Sequence, residues 1–485
     1  MGKATVKRNY LYNLAYQLLV ILTPLVTTPY ISRVIGEKGI GAFSWTQSIC
    51  TYFVLVASLG ISMYGQREIA YHQDSREERS RIFEELLIFR GIMVTASLLV
   101  YFALFVFQDR YSDLFLIQSL DVVAVIFDIS WLMQGMEDFK RVVGRNALVK
   151  CLSVLCIFLF VKDAGDLPIY ALCLSGSSFL GNLSLWIYVP KYVSYVPIKK
   201  LHIRRHIAPT LYLFLPQVAI QVYAVMDKTM LGSLNADIAQ NGFYTQAQKI
   251  IKVSLAVVTS MGNVMLPRVS YIFATKGKEE VRRTILGAFR FSTFMGCGIM
   301  FGIIGIAKGL VPWFYGEGYE PIVQILYCLS PTILLIATSN VSGMQCLVPM
   351  KKQKAFNTSV ILGAVCNLII NALLIPDYGA IGASIGTVAA EFTVLAIQLF
   401  SLRSFAPIGK ILAGIGKNSL AGLVMLAVLL YTGTYLPSSI LSTLLEIALG
   451  FAVYCIVLLL MRDQMVKEIL DKGVGLIRRK LGNTL

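Results

Sequence analysis

The chain has 485 residues, 56% hydrophobic and 14% charged, with a net charge of +16 and a mean hydropathy of +0.69. Soluble domains carry about 25% charged residues, so the composition excludes a soluble globular fold and points to an all-α polytopic membrane protein. The basic excess reads as a charged membrane face and not as a nucleic-acid signature, and nine scattered Cys without a CxxC pair or Cys/His cluster suggest neither a disulfide framework nor a metal site.

The opening MGKATVKR is short and basic, and the long apolar run after it lacks an A-x-A-like cleavage site. It reads as an uncleaved first span. Apolar segments of about 20 residues, enough to cross a bilayer, then recur near 10–32, 41–63, 86–108, 113–135, 146–162, 168–189, 208–232, 242–266, 285–311, 322–347, 357–375, 380–402, 411–433 and 439–461. About fourteen transmembrane helices are predicted, and an even number places both termini on one side. The positive-inside rule makes that side cytoplasmic. Basic residues crowd alternate loops, from Lys3, Lys7 and Arg8 through Lys351, Lys352 and Lys354 to the tail, while Arg33, Lys38, Arg110, Lys162 and Lys308 alone fall in outer segments. His72, His202 and His206 lie in polar loops and read as solvated surface groups.

The chain repeats itself. GAFSWTQSI from Gly41 aligns with GFYTQAQKI from Gly242, and the same shift pairs Gln47 with Gln248, Arg67 with Arg268 and Glu78 with Glu279. MQGMEDFKRVVGRN aligns with MQCLVPMKKQKAFN, and Asp163 and Gly165 match Asp377 and Gly379. Collinear matches at successive loops argue for duplication. The expected organisation is a six-helix lobe over 1–200, a second over 201–405, two additional helices over 406–461 and a basic cytoplasmic tail over 462–485. Two parallel lobes imply a central cavity and alternating access, which would give intramembrane charges water.

Those charges are few. The bases inside proposed spans are Arg90, Lys150, Lys228, Lys249, Lys252 and Arg290; the acids are Asp121, Asp128, Asp227, Glu391 and Glu446. Lys249 and Lys252 share a helix face, near Gln248, and suit either a wet anion-binding face or pairing with acids of other helices. Asp121 and Asp128, seven apart, are expected on one face, as an ion-coupling pair or as structural partners for bases. Asp227 and Lys228 are adjacent and point about 100° apart, so they cannot pair well with each other. Lys228 precedes Gly232 much as Arg33 precedes Gly36, and these charges are read as an outer gate. Glu391 is a lone proton or cation candidate, and Arg90 and Arg290 either snorkel or line an inner mouth. Asn13 and Gln17 form a polar stripe on the first helix, as cavity wall or as interhelical glue. No Walker sequence, nucleophile elbow or metal motif occurs, and no loop is long enough for an extramembrane catalytic domain, so no enzyme activity is expected.

The run NYLYNLAYQLLVILTPLVTTPYISRVIGEKGIGAFSWTQSI, with GISMYGQREIA, MDKTMLG and GFYTQAQKI, resembles polysaccharide flippases of the Wzx type. These belong to a superfamily with the MATE drug exporters and lipid II flippases, and the likeness extends to the teichoic-acid branch. The resemblance covers the chain to about residue 405. It implies a flippase in the bacterial cytoplasmic membrane, with an undecaprenyl-diphosphate-linked oligosaccharide (capsule, O-antigen or teichoic-acid unit) as substrate, membrane lipids as surroundings, and a polysaccharide polymerase complex as a further partner. A cation-lined cavity would take the diphosphate, with Lys249 and Lys252 on the helix where lipid II flippases are expected to place a base. No cofactor is implied, and coupling to H+ or Na+ stays open. A proton- or sodium-coupled multidrug exporter of the same fold is the competing reading; it would favour acids over bases.

Overall fold

The computed structural model describes residues 3–107, 110–197, 201–275 and 278–467, without the side chains of 3–18, 21, 215–217, 219–220, 260–270, 273–274 and 278. Helices make up the described chain, and no strand occurs among the described residues. In a bilayer this follows from the backbone: every N–H and C=O must be met internally, and a helix meets them within one segment.

The chain forms two compact units, residues 1–242 and 243–485. In the first, α1 (Lys3–Ser58) leads to α2 (Ile61–Tyr71), α3 (Arg76–Tyr101), α4 (Ser112–Phe127), α5 (Ser130–Gly135), α6 (Phe139–Phe160), α7 (Leu167–Ser184), the short α8 (Val189–Tyr192) and α9 (Ile207–Leu234). Helix α10 (Ala239–Thr275) starts at the end of the first unit and runs into the second, followed by α11 (Lys278–Tyr315), α12 (Pro321–Leu329), α13 (Pro331–Asn340), α14 (Gln353–Leu402), α15 (Ile408–Thr432) and α16 (Ile440–Leu460).

Ten helical stretches among the described residues are long and apolar enough to cross a membrane. Two of them hold two spans each, because α1 turns at Gly36 (φ 73°) and α14 at Gly379 (φ 51°) without losing helical continuity on either side. With α9 and α10, which are also long enough to span, the fourteen expected crossings each have a helix to hold them. Two are interrupted. The fourth span stops at Phe127, Asp128 is extended (φ −75°, ψ 94°), and α5 resumes at Ser130. The tenth divides at Ser330, because Pro331 has no N–H to continue the ladder.

Lipid tails are as apolar as Leu, so helices here associate through close packing and hydrogen bonds. In the first unit α1 packs on α3, α4, α6 and α9, and α4 packs on α7. A core of Phe83, Leu86, Ile129, Trp131 and Leu132 closes the end that carries α2 and α5. In the second unit α11 is the central strut, against α12, α13, α15 and α16. The additional pair docks there directly: Tyr454 donates to the Phe294 carbonyl at 2.9 Å and to Asn418 Oδ1 at 3.1 Å.

A close backbone approach involves the two glycines that the repeat aligns. A Cβ on Gly41 would lie 2.0 Å from the Ile238 carbonyl oxygen, and one on Gly242 would lie 2.1 Å from that of Glu37. Glu37 and Ile238 each stand four residues before the glycine, so the contact is reciprocal. A local two-fold exchanges Gly41 with Gly242 and Glu37 with Ile238. Because the obstacle on each side is a backbone carbonyl, it cannot rotate away. Gly41→Ala is expected to cost about 1–3 kcal/mol, read as a lower melting temperature of the purified protein. Gly409→Ala, whose Cβ meets nothing within 4 Å, should stay within about 0.5 kcal/mol of the parent.

Candidate functional site

Asp121 sits half-buried on α4, facing α1 and α7. Gln47 Nε2 donates to its Oδ2 at 3.2 Å and Ser175 Oγ donates to the same oxygen at 2.8 Å. Both donors are neutral, and no basic side chain reaches the carboxylate among the described residues. One turn earlier Gln118 is fully buried, with neither amide atom hydrogen-bonded, while its carbonyl accepts from Cys50 Sγ at 3.2 Å. A carboxylate held by neutral donors beside an unsatisfied amide can take a proton or a small cation without breaking an ion pair. In the second unit, Gln248 makes a long 3.5 Å bond to Tyr244 Oη, which lies 3.0 Å from Thr387 Oγ1. The glutamine recurs there, with Glu391 one turn along α14 from Thr387.

Helix α4 runs unbroken from Asp121 to Phe127, and only Asp128 itself leaves helical geometry. Asp128 lies beyond the end of α4, and its Oδ1 accepts from the Ser130 N–H at 3.0 Å, starting α5. Arg90 is 1% exposed and tied to backbone: it donates to the carbonyls of Val125 (3.3 Å) and Asp128 and to Ser62 Oγ (3.0 Å), with Trp131 beneath it. Those bonds satisfy carbonyls freed by the break in the fourth span, so Arg90 acts here as a structural tie.

The other bases are more open. Lys150 is half-buried on α6 with no ion-pair partner among the described residues. Lys249 is half-buried and Lys252 exposed on α10. Lys228 is half-buried while Asp227 beside it is 5% exposed, as their divergent directions require. Around them, Thr229 donates to Ser48 Oγ at 2.8 Å and Asn241 donates to the Lys228 carbonyl at 2.6 Å. Arg33 is exposed and donates back to the Pro29 carbonyl at 2.9 Å. Glu391 is half-buried in the second half of α14, and Arg290 is exposed beside Lys410, Lys417 and Arg462. The side chains of Asn13 and Gln17 lie outside the described residues.

A charged hub in the first unit was not anticipated. Glu85 on α3 is fully buried and accepts from the His202 N–H at 2.7 Å, from Arg205 Nε at 2.9 Å and from His206 Nε2 at 2.6 Å. Tyr64 Oη in turn reaches His206 Nδ1 at 2.9 Å. His206 is 2% exposed, which corrects its reading as a solvated loop residue; His202 is exposed, as expected, and His72 is half-buried. The hub fastens the segment leading into α9 onto α3. Its only local signal was the LHIRRH run itself; the carboxylate that buries it is more than a hundred residues away.

The family described as polysaccharide biosynthesis protein matches residues 6–273, more than half of the chain. Over 417 residues the chain is 24% identical to the protein named "Putative O-antigen transporter" of Escherichia coli (strain K12), spanning 83% of this chain and 98% of that one. Among solved structures, the lipid II flippase MurJ in an inward closed conformation superposes with a TM-score of 0.74 at 17% identity, covering 94% of this chain and 99% of that one. A multidrug resistance MATE family transporter of the MOP superfamily, inward-facing, superposes with a TM-score of 0.62 at 16% identity, covering 82% and 95%. The two structural likenesses establish a shared fold.

Acid tests the hub. Burial holds the His206 imidazole below its usual 6.5, with Arg205 adding to the effect and Glu85 and Glu68 opposing it. A base with a lowered folded pKa is neutral in both states above the ordinary value, so it has no effect there. As pH falls below 6.5 the unfolded state takes the proton first, and stability drops until the lowered value is passed. The melting temperature should therefore be lower at pH 5.5 than at pH 7.5, and His206→Gln should flatten that dependence. Glu85→Ala should cost about 2–3 kcal/mol at either pH, less than a wholly buried pair because Arg205 is partly exposed.

Proposed function

The chain belongs to the polysaccharide biosynthesis protein family, and on that footing we propose that it is a flippase, turning a lipid-linked oligosaccharide from the inner to the outer leaflet of the bacterial cytoplasmic membrane. The family match carries this reading. The composition of the spans is compatible with it: Lys150, Lys228, Lys249 and Lys252 keep positive charge inside the bilayer, where charged groups mark substrate or ion paths. A diphosphate-bearing substrate is of the opposite sign. We assign it as an undecaprenyl-diphosphate-linked repeat unit, with the sugar and diphosphate passing the bases while the polyprenyl chain stays in lipid.

In this proposal the protein is a transporter by alternating access and not an enzyme. Its repeats occupy 1–200 and 201–405, its additional helices 406–461, and both termini face the cytoplasm. Asp121 is the coupling group, taking up and releasing H+ or Na+ within the Gln47–Ser175 cradle. Asp227, Lys228 and Arg33 form the outer gate.

The test is reconstitution in vesicles with a labelled undecaprenyl-diphosphate oligosaccharide on one face. The parent should move the label across, and Lys249→Ala/Lys252→Ala should slow it by at least roughly tenfold, the equivalent of one lost charge contact of about 1.4 kcal/mol. Absence of flipping, with gradient-driven movement of a cationic dye instead, overturns the proposal in favour of a drug exporter. Asp121→Asn keeps hydrogen-bonding groups for Gln47 and Ser175. It is expected to fold normally and to lose the response of the flipping rate to an imposed pH or sodium gradient; an unchanged response would remove Asp121 from the mechanism.

A further inference from the structure

The second unit contains a cavity of about 450 Å³ where α11, α15 and the turn after α16 converge. Four cations from three separate segments line it: Arg290 from α11, Lys410 and Lys417 from α15, and Arg462 from the turn. Lys410 and Lys417 are seven apart and so lie on one helix face. The acid among the lining residues is Asp463, which lies 3.0 Å from Lys417 Nζ. The side chains of Arg290, Lys410 and Arg462 have neither ion pair nor hydrogen bond among the described residues. Asp463 offsets Lys417, and the three remaining cations leave the cavity net positive.

Two local features run against stability unless an anion is present. Helix α15 has no acid in its first turn; it places Lys410 there, at the positive end of the helix dipole, where a cation is unfavourable. Arg462 ends α16 in the left-handed region, φ 53°, with the Asp463 N–H returning to the Leu458 carbonyl at 2.8 Å. That position of a helix terminus is usually given to Gly, which carries no Cβ penalty. An arginine there costs backbone energy and supplies a charge directed by the turn. The polar floor is already satisfied: Asn418 Nδ2 donates to the Gly414 carbonyl at 2.8 Å and, at 3.4 Å, to Thr293. The unmet demand is thus for negative charge at the rim.

We infer that this cavity binds a phosphate group, presented by an anionic lipid headgroup at the membrane end where the basic loops gather. Basic pockets between spans on that side suit phosphodiester heads. The site is separate from the bases assigned to transport on α6, α9 and α10, and its occupancy is measurable without any flipping assay.

The full-length protein is placed in nanodiscs of zwitterionic lipid, and its melting temperature is read as phosphatidylglycerol is added. A parallel arm adds inorganic phosphate and pyrophosphate at matched ionic strength. Phosphatidylglycerol should raise the melting temperature, and Lys410→Gln/Arg462→Gln should weaken the apparent affinity roughly tenfold or more. If inorganic phosphate or pyrophosphate produces the same rise, lost in the same variant, the phosphate site stands and its source is soluble. Arg462→Gly gives an independent sign: with zwitterionic lipid alone it should melt above the parent, because the left-handed strain is gone, yet it should gain less from phosphatidylglycerol. No rise with any of the three, or a rise that survives both variants, overturns the inference.

Discussion

Two backbones touch at Gly41 and Gly242 with no side chain between them, and the seam of the first unit depends on that spacing. Above the crossing, Trp45 lies in a slot that exists because Gly232 has no Cβ; one would come within 2.1 Å of the indole. The indole N–H donates to Ser233 Oγ at 3.2 Å, and Thr229 meets Ser48 and Tyr52 one turn further on. These bonds are short-range and directional. Widening the crossing by the radius of a methyl group would break them together, and in lipid no water would replace them.

The same stretch of α1 carries Gln47 toward Asp121. The acid is thereby held from two directions by groups that cannot neutralise it, while most other charges of the first unit are consumed locally. Arg90 is spent on carbonyls released where α4 stops, Asp128 on starting α5, and Glu85 on the segment before α9. Inside the spans of this unit, Asp121 on α4 and Lys150 on α6 have no ion pair among the described residues. Burial alone does not pick out the functional candidates: Arg90 is buried, yet its bonds go to the Val125 and Asp128 carbonyls and to Ser62.

Span number was legible in the sequence because it depends only on apolar length, and the internal repeat because its loops keep their spacing. The glycine alignment at 41 and 242 was visible as a match, but alignment does not say that two equivalent positions touch. Gly36 and Gly379 looked like loop residues and each proved to be a non-helical kink of positive φ at which one helix meets the next. Asp128 read as a mid-span helical residue and proved to be the cap at which α4 ends, a break met by bonds from Arg90 on another helix. His206 was misread because its own neighbours are polar while it is buried by Glu85 from a distant helix. Local pattern recovers what local chemistry determines, and the surroundings of Asp128 and His206 are determined elsewhere.

The hub also sets an order of events during synthesis. Arg205 follows Glu85 by 120 residues, and at about 5–20 residues per second a ribosome needs roughly 6–24 s to cover that distance. Throughout that interval α3 is available for insertion while its carboxylate still lacks every partner it has in the finished protein. Glu85 must wait in contact with water or headgroups, so the third span enters the bilayer held at its boundary. The arrival of His202, Arg205 and His206 then draws the carboxylate inward and fixes α3 and the start of α9 in one step. A half-made chain thus carries a timer, and an arrest between residues 90 and 200 leaves the first unit unlatched.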